Sequence, residues 1–315
     1  MLQSIRTLMA GLIDYAGLYP PAKLAMAPAA EAFAHARIGD NEWMLGRFIC
    51  PASRLDEFSK AAAVLMPGTH ATSGYREHAD LQEPWRLSVI LDGDLAAGLD
   101  ALHAFNLRHE HEDAGRAVAD AVELKVARPG DIDDALDRIP EEVFPFFEFP
   151  PEVVNAGDAR GFIAALAGNA AAAKIRTGGI TADAFPPAPK VAAFIAACHS
   201  AGIPFKATAG LHHPLRAEYP LTYEPGCARG VMHGFLNVFL AAAAVGCDHL
   251  DCARATAILE EGDASRFHFT DEGVRWREVF LDTTQLAKAR EAFALSYGSC
   301  SFDEPVADLR KLGLL

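Results

Sequence analysis

Two lysines, Lys174 and Lys206, each sit near the end of a short apolar run that stops at glycine, in AAAKIRTGG and IPFKATAG. Between them, residues 189–200 carry Val191, Phe194, Ile195 and Cys198 at the three-and-four spacing of one buried helical face. A strand, helix, strand unit makes the two strands parallel neighbours and brings both amines to one edge of the sheet. Two ammonium groups held close in a poorly solvated pocket disfavour each other's charge, so one of them is expected to be a free amine near neutral pH. A free amine is the nucleophile of carbinolamine and Schiff-base chemistry.

Such chemistry needs a scaffold that returns strand ends to one rim. The same pattern recurs from the N-terminus: a short β-prone run, a turn, then an alanine-rich amphipathic helix. Strands are expected at residues 12–18, 46–50, 87–91, 121–126, 143–149, 172–176 and 204–208, and helices at 29–37, 54–65, 95–108, 131–138, 159–168 and 191–200. One unbroken βα rhythm without a linker predicts a single (β/α)8 TIM barrel domain over residues 1–315, with an open doubly wound sheet as the alternative. The rhythm lapses after Pro214. A helix over 235–245 is clear, SRFHFTDEGVRWREVF alternates around a polar turn as a β-hairpin would, and ALSYGSCSFDEP offers a last strand. Residues 246–285 are therefore read as an insertion before the strand that closes the barrel.

Side chains alternate along a strand, so each run assigns its charges to one face. Glu123 and Lys125 share a face, as do Lys174 and Arg176, and Lys206 and Thr208; Asp14, Asp92 and Glu148 are placed to join them inside. The inward set is close to balanced, with Lys125, Lys174, Arg176 and Lys206 against Asp14, Asp92, Glu123 and Glu148. It reads either as a structural ion-pair network or as an active site, and four strands together favour the site, because a barrel filled for stability alone would use Val, Ile and Leu.

Composition narrows the partners. A chain of 315 residues that is 51% hydrophobic and 22% charged has the make-up of a soluble globular protein. Its net charge of −14, with no basic block, argues against nucleic acid. No apolar run approaches the roughly 18 residues that span a bilayer, which argues against a membrane. The N-terminal MLQSIRTLMAGLIDYAG contains Asp14 and runs straight into the first βα unit, so it is not read as a signal peptide. Six scattered cysteines without a C-x-x-C pair read as reduced thiols in a cytoplasm. The alanine-rich helix faces and the insertion would suit a homodimer, and no cofactor is expected.

In order along the chain, several segments resemble those of the deoxyribose-phosphate aldolases and, more loosely, the class I aldolase barrels. LIDYAGLYPPAKLAM is similar to that family's opening strand and loop, FICPASRLDEF to its second strand, RLSVILDGDLAAGLDAL to its third, and ADAVELKVAR to its fourth, where Glu123 holds the place of a catalytic aspartate. KIRTGG resembles the sixth-strand motif, which implies Lys174 as the Schiff-base lysine. FKATAG resembles the seventh, which implies Lys206 as the group that lowers the first amine's pKa. YGSCSF resembles the closing phosphate loop. The departures are Arg176 and Gly178-Gly179 after the Schiff-base lysine, Leu211-His212-His213-Pro214 where the phosphate-gripping loop belongs, and the long insertion. Together they imply a class I aldolase-like lyase acting on a small carbonyl substrate other than a standard sugar phosphate, carrying a carboxylate or no charge.

On that reading Lys174 attacks the carbonyl, Lys206 keeps it unprotonated, and Glu123 shuttles protons through a water; Lys206 has the alternative of a structural partner for Glu123 or Glu148. Arg176 either grips a substrate carboxylate or bridges to Glu148. His212 and His213 are general acid and substrate contact, or ordinary loop residues. With Asp248, His249 and Asp251 they would offer metal ligands, but the spacing fits no zinc pattern and no metal is expected. Cys50 is a candidate contact that also suits an apolar filler. Gly298, Ser299 and Ser301 offer amides and hydroxyls to an anion or merely close the chain. The Lys, Arg, Gly-Gly cluster is also similar to phosphoribosyl-transferring barrels that bind a carboxylate and a diphosphate sugar, which would need Mg²⁺ and a second basic strand end, for which Lys125 is the candidate. A catalytically silent interaction barrel is the third alternative.

Overall fold

A computed structural model describes residues 1–68, 83–111, 114–247 and 251–315. Eight parallel strands close into a barrel: β1 (Ile13–Tyr15), β2 (Leu45–Pro51), β3 (Trp85–Ile90), β4 (Ala117–Lys125), β5 (Phe144–Glu148), β6 (Ala172–Arg176), β7 (Phe205–Thr208) and the closing strand Ala294–Ser299, which lies between β7 and β1. This is the expected (β/α)8 architecture. Phe33, Phe48, Phe58 and Trp85 meet edge-on or tilted between β2, β3 and the flanking helices.

The segment between β7 and the closing strand departs most from expectation. After β7 the chain forms a two-stranded antiparallel arm, β8 (Ala217–Pro220) and β9 (Arg229–Met232), then the helix Phe235–Gly246, buried from Phe235 through Val245. The hairpin expected in residues 246–285 is a three-stranded meander, β10 (Phe267–Phe269), β11 (Gly273–Trp276) and β12 (Val279–Asp282). Its second turn is made at Arg277, which takes a left-handed φ of 51°. The closing strand is therefore β13. The meander packs at the N-terminal ends of the barrel strands, where Gln3 and Ser4 of the helix Gln3–Met9 donate their N–H groups to Asp271 and Thr270. Arg290, fully inside the same end, donates to the carbonyls of Leu8, Ala10, Ala294 and Leu295, and burial pushes its pKa down to about 10.

Inside the barrel the layers differ in chemistry. A small apolar plug of Ala121, Phe146 and Ala172, with Phe144 and Leu295 against it, fills part of the interior. Asp120 pairs with Arg47 at 2.7 Å and with Arg86. Lys206 stands over the Phe146 ring at 5.1 Å, where the polar layer begins.

Candidate active site

The polar layer is built by strand register. Glu123 of β4 lies beside Phe146 of β5, Glu148 beside Lys174 of β6, and Lys174 beside Lys206 of β7, so alternation on neighbouring strands delivers the charges to one level. Lys206 Nζ contacts Asp14 Oδ2 at 2.5 Å and Glu123 Oε1 at 2.7 Å. Lys174 Nζ contacts Glu123 Oε2 at 2.7 Å and Glu148 Oε2 at 2.5 Å. Glu123 thus bridges the two ammonium groups with one oxygen each. Hydroxyls complete the layer: Ser88 donates to Glu123 Oε1 and Ser296 to Asp14 Oδ2. Asp14 also accepts the N–H of Arg47 at 2.7 Å, a reach that passes over Gly46, where any Cβ would lie 2.3 Å from Asp14 Oδ1.

This bridge corrects the expected electrostatics. The two lysines are brought together, but a carboxylate stands between them, and Lys206 does not strip Lys174 of its proton. Burial alone would push Lys174 towards the free amine; Glu123 and Glu148 outweigh it and hold the pKa above the ordinary lysine value. Burial likewise opposes ionisation of Glu123, and Lys174 and Lys206 overcome it and hold the carboxyl well below its usual range. Glu148 is kept ionised in the same way, by Lys174 and then Arg176. Glu123, Lys174 and Glu148 thus form a chain in which each charge holds its neighbour ionised.

Above this layer opens a cavity of about 630 Å³, with Lys174, Glu123 and Glu148 among its lining groups. Ile49, Pro51, Ile90 and Leu91 form an apolar side, while Lys125, Arg176 and His212 bring cationic groups to it. Arg176 donates to Glu148 Oε1 at 3.2 Å, opposite the oxygen that meets Lys174. The strand ends after β6 and β7 are locked together: Thr177 Oγ1 donates to the carbonyls of Thr208 and Ala209, Ala209 takes a left-handed φ of 61°, and a Cβ on Gly210 would lie 2.8 Å from Gly178 Cα. That close approach is what Gly178 and Gly210 permit. Asp92 lies at the cavity edge, accepting from Ser53 N–H and Oγ, and Thr208 and Gly298 line the wall.

Three expected site residues face elsewhere. Cys50 points into the outer core, because β2 turns Ile49 and Pro51 inward; burial pushes its thiol up. His213 bonds Asp308 at 2.6 Å and stacks on Tyr219 at 3.6 Å, holding the arm to the C-terminal helix Asp303–Lys311. Ser299 donates to the Ser301 carbonyl behind Gly298. Of the metal candidates, Asp248 and His249 lie outside the described residues; among those described, no group of three or more His, Cys, Asp or Glu side chains is disposed to hold a metal.

Sequence reading passed over Ser88, Ser296, Tyr19 and Cys300. Ser88 and Ser296 share a strand face with Ile90 and Gly298, so the alternation that found the charges also reaches them. Tyr19 lines the cavity with a buried hydroxyl that has no hydrogen-bond partner, and its phenol pKa is raised by burial and then by Glu123. Its Tyr-Pro-Pro setting reads as loop packing. No protein-family model, curated protein or solved structure matches the chain. Among the described residues no helix is long and apolar enough to cross a membrane. Fold and site together describe a TIM barrel with a charged pocket at the C-terminal ends of its strands, the face where enzymes of this architecture keep their active sites.

Proposed function

We propose that the chain is an imine-forming lyase of the class I aldolase type, acting on a small carbonyl compound that carries a carboxylate. The observation that supports it most directly is the Lys174 ammonium in an open cavity, 2.5 Å from one carboxylate and 2.7 Å from another. A carbonyl compound entering displaces water and makes charge separation between Lys174 and Glu148 more costly, so the proton passes to Glu148 Oε2. The amine then adds to the carbonyl carbon. The added nitrogen passes one proton to the oxygen and Glu148 returns the other, so the oxygen leaves as water and the nitrogen keeps one proton and the positive charge of the iminium. Glu123, held by Lys206, is the second base within reach of carbon adjacent to the imine. Arg176 and His212, whose imidazole is held charged with a pKa of about 9, take the substrate carboxylate.

Borohydride reduction in the presence of 2-oxo acids and aldehydes, read by peptide mass, tests this: an adduct is expected on Lys174 and is absent in Lys174→Met. No adduct across the panel removes the imine. The raised pKa of Lys174 favours a second reading, in which the ammonium stays charged and stabilises an enolate oxygen while Glu148 moves the proton. It predicts deuterium exchange beside the substrate carbonyl without trapping.

A further inference from the structure

A second group of reactive side chains meets the same cavity, away from the lysines. Cys300 follows the closing strand, within the YGSCSF segment whose role the imine chemistry leaves open. Its Sγ lies 3.7 Å from His212 Nδ1 and 3.6 Å from the Tyr223 hydroxyl. Glu304 Oε2 stands behind both, 3.4 Å from His212 Nδ1 and 3.1 Å from Tyr223 Oη. We propose that Cys300 is a reactive thiol, a covalent modification site for carbon electrophiles small enough to enter the cavity, with His212 and Tyr223 holding its thiolate.

Three observations carry this. The sulfur has two polar partners on different elements, His212 in the loop after β7 and Tyr223 in the arm, so they converge from outside its own strand. Cys300 is in the wall shared by the main cavity and a second one of about 450 Å³ that also contains Tyr15, Tyr223 and Glu304, so a buried sulfur is open to small reagents. His212 is itself charged: burial opposes this, but Cys300 and Glu304 prevail. A thiolate beside an imidazolium is the arrangement that makes cysteines nucleophilic. Cys50 and Cys198 are buried, and their thiols are pushed up by that burial.

With iodoacetamide the step is simple. The thiolate sulfur attacks the methylene carbon, the S–C bond forms as the C–I bond breaks, iodide leaves with the electron pair, and His212 keeps the proton that the thiol had given up. The adduct projects into the cavity that holds Lys174. The inference does not depend on the imine chemistry, and its test reads only the thiol.

The full chain is treated with limiting iodoacetamide at neutral pH, and each cysteine peptide is followed by mass spectrometry. Cys300 is expected to label about tenfold faster than Cys50 and Cys198, and to slow several-fold in His212→Gln and in Tyr223→Phe. The thiolate ultraviolet absorbance, taken as wild type minus Cys300→Ser, is expected to be present and to vanish in His212→Gln. Tyr223 is exposed, so its phenylalanine variant keeps the test open should the histidine variant fail to fold. Labelling of Cys300 no faster than of Cys50 and Cys198, or rates unchanged in both variants, overturns the proposal.

Discussion

Replacing Glu123 by glutamine keeps the shape of the bridge and removes its charge. Lys206 retains Asp14 at 2.5 Å and Lys174 retains Glu148 at 2.5 Å, so each ammonium keeps one carboxylate. The cost then falls near the lower end of what breaking a buried pair entails, about 3 kcal/mol. The sign of the pH dependence is more telling than the size. In the wild type, Lys174 has a raised pKa, so its contribution is complete below the unfolded value of about 10.4 and is lost as pH rises through the folded one. Glu123 is the first of the two charges that offset burial there. Without it burial weighs more heavily against the charged lysine, so the variant lacks part of the stability that the wild type loses as pH rises through the Lys174 pKa. At the acid end the depressed Glu123 contributes stability above about pH 4.5 that is lost as pH falls, and the variant lacks that loss. Urea titrations at stepped pH give both limbs. A cost below about 1 kcal/mol, or a variant whose stability falls across the alkaline range as steeply as the wild type's, refutes the idea that one carboxylate holds both lysines.

His212→Gln should flatten the alkaline side of the stability curve. The histidine is raised from 6.5 to about 9, so its contribution is full below pH 6.5 and lost on the way to 9, an amount on the order of 3 kcal/mol in the wild type that urea titration measures. NMR of the imidazole protons should show this one titrating well above neutrality. Arg176→Leu should weaken binding of a 2-oxo acid about tenfold, measured by calorimetry or by trapping at Lys174, while leaving a neutral aldehyde unaffected; equal losses for both would remove Arg176 from substrate recognition.

The barrel was legible because its strands are short apolar runs, and in β4 and β6 charges at alternate positions (Glu123 and Lys125, Lys174 and Arg176) fix both period and face. Glu123, Lys174, Lys206 and Glu148 declare their common level that way. Their protonation was not legible: like charges on adjacent strands read as repulsion until register shows a carboxylate between them. Cys50 was misplaced because β2 is read equally well in either phase until Ile49 and Pro51 are seen to point inward. The arm at residues 217–232 carries neither helical nor strand periodicity, and its prolines and glycines read as loop. Tyr223, which reaches Cys300 from that arm, was hidden with it. The second hairpin of the meander escaped because Arg277 takes a backbone conformation that its residue type does not announce.

The shared carboxylate of Glu123 would bear on the proposed imine chemistry in a way that its resting contacts do not exhaust. Conversion of an ammonium into an iminium leaves the formal charge on that nitrogen unchanged. Anions arranged around one are already arranged around the other, so an iminium formed at Lys174 would be met by dipoles and charges that have no need to reorient. What holds Lys174 as a cation at rest is, under that proposal, the solvation shell of the species it would become.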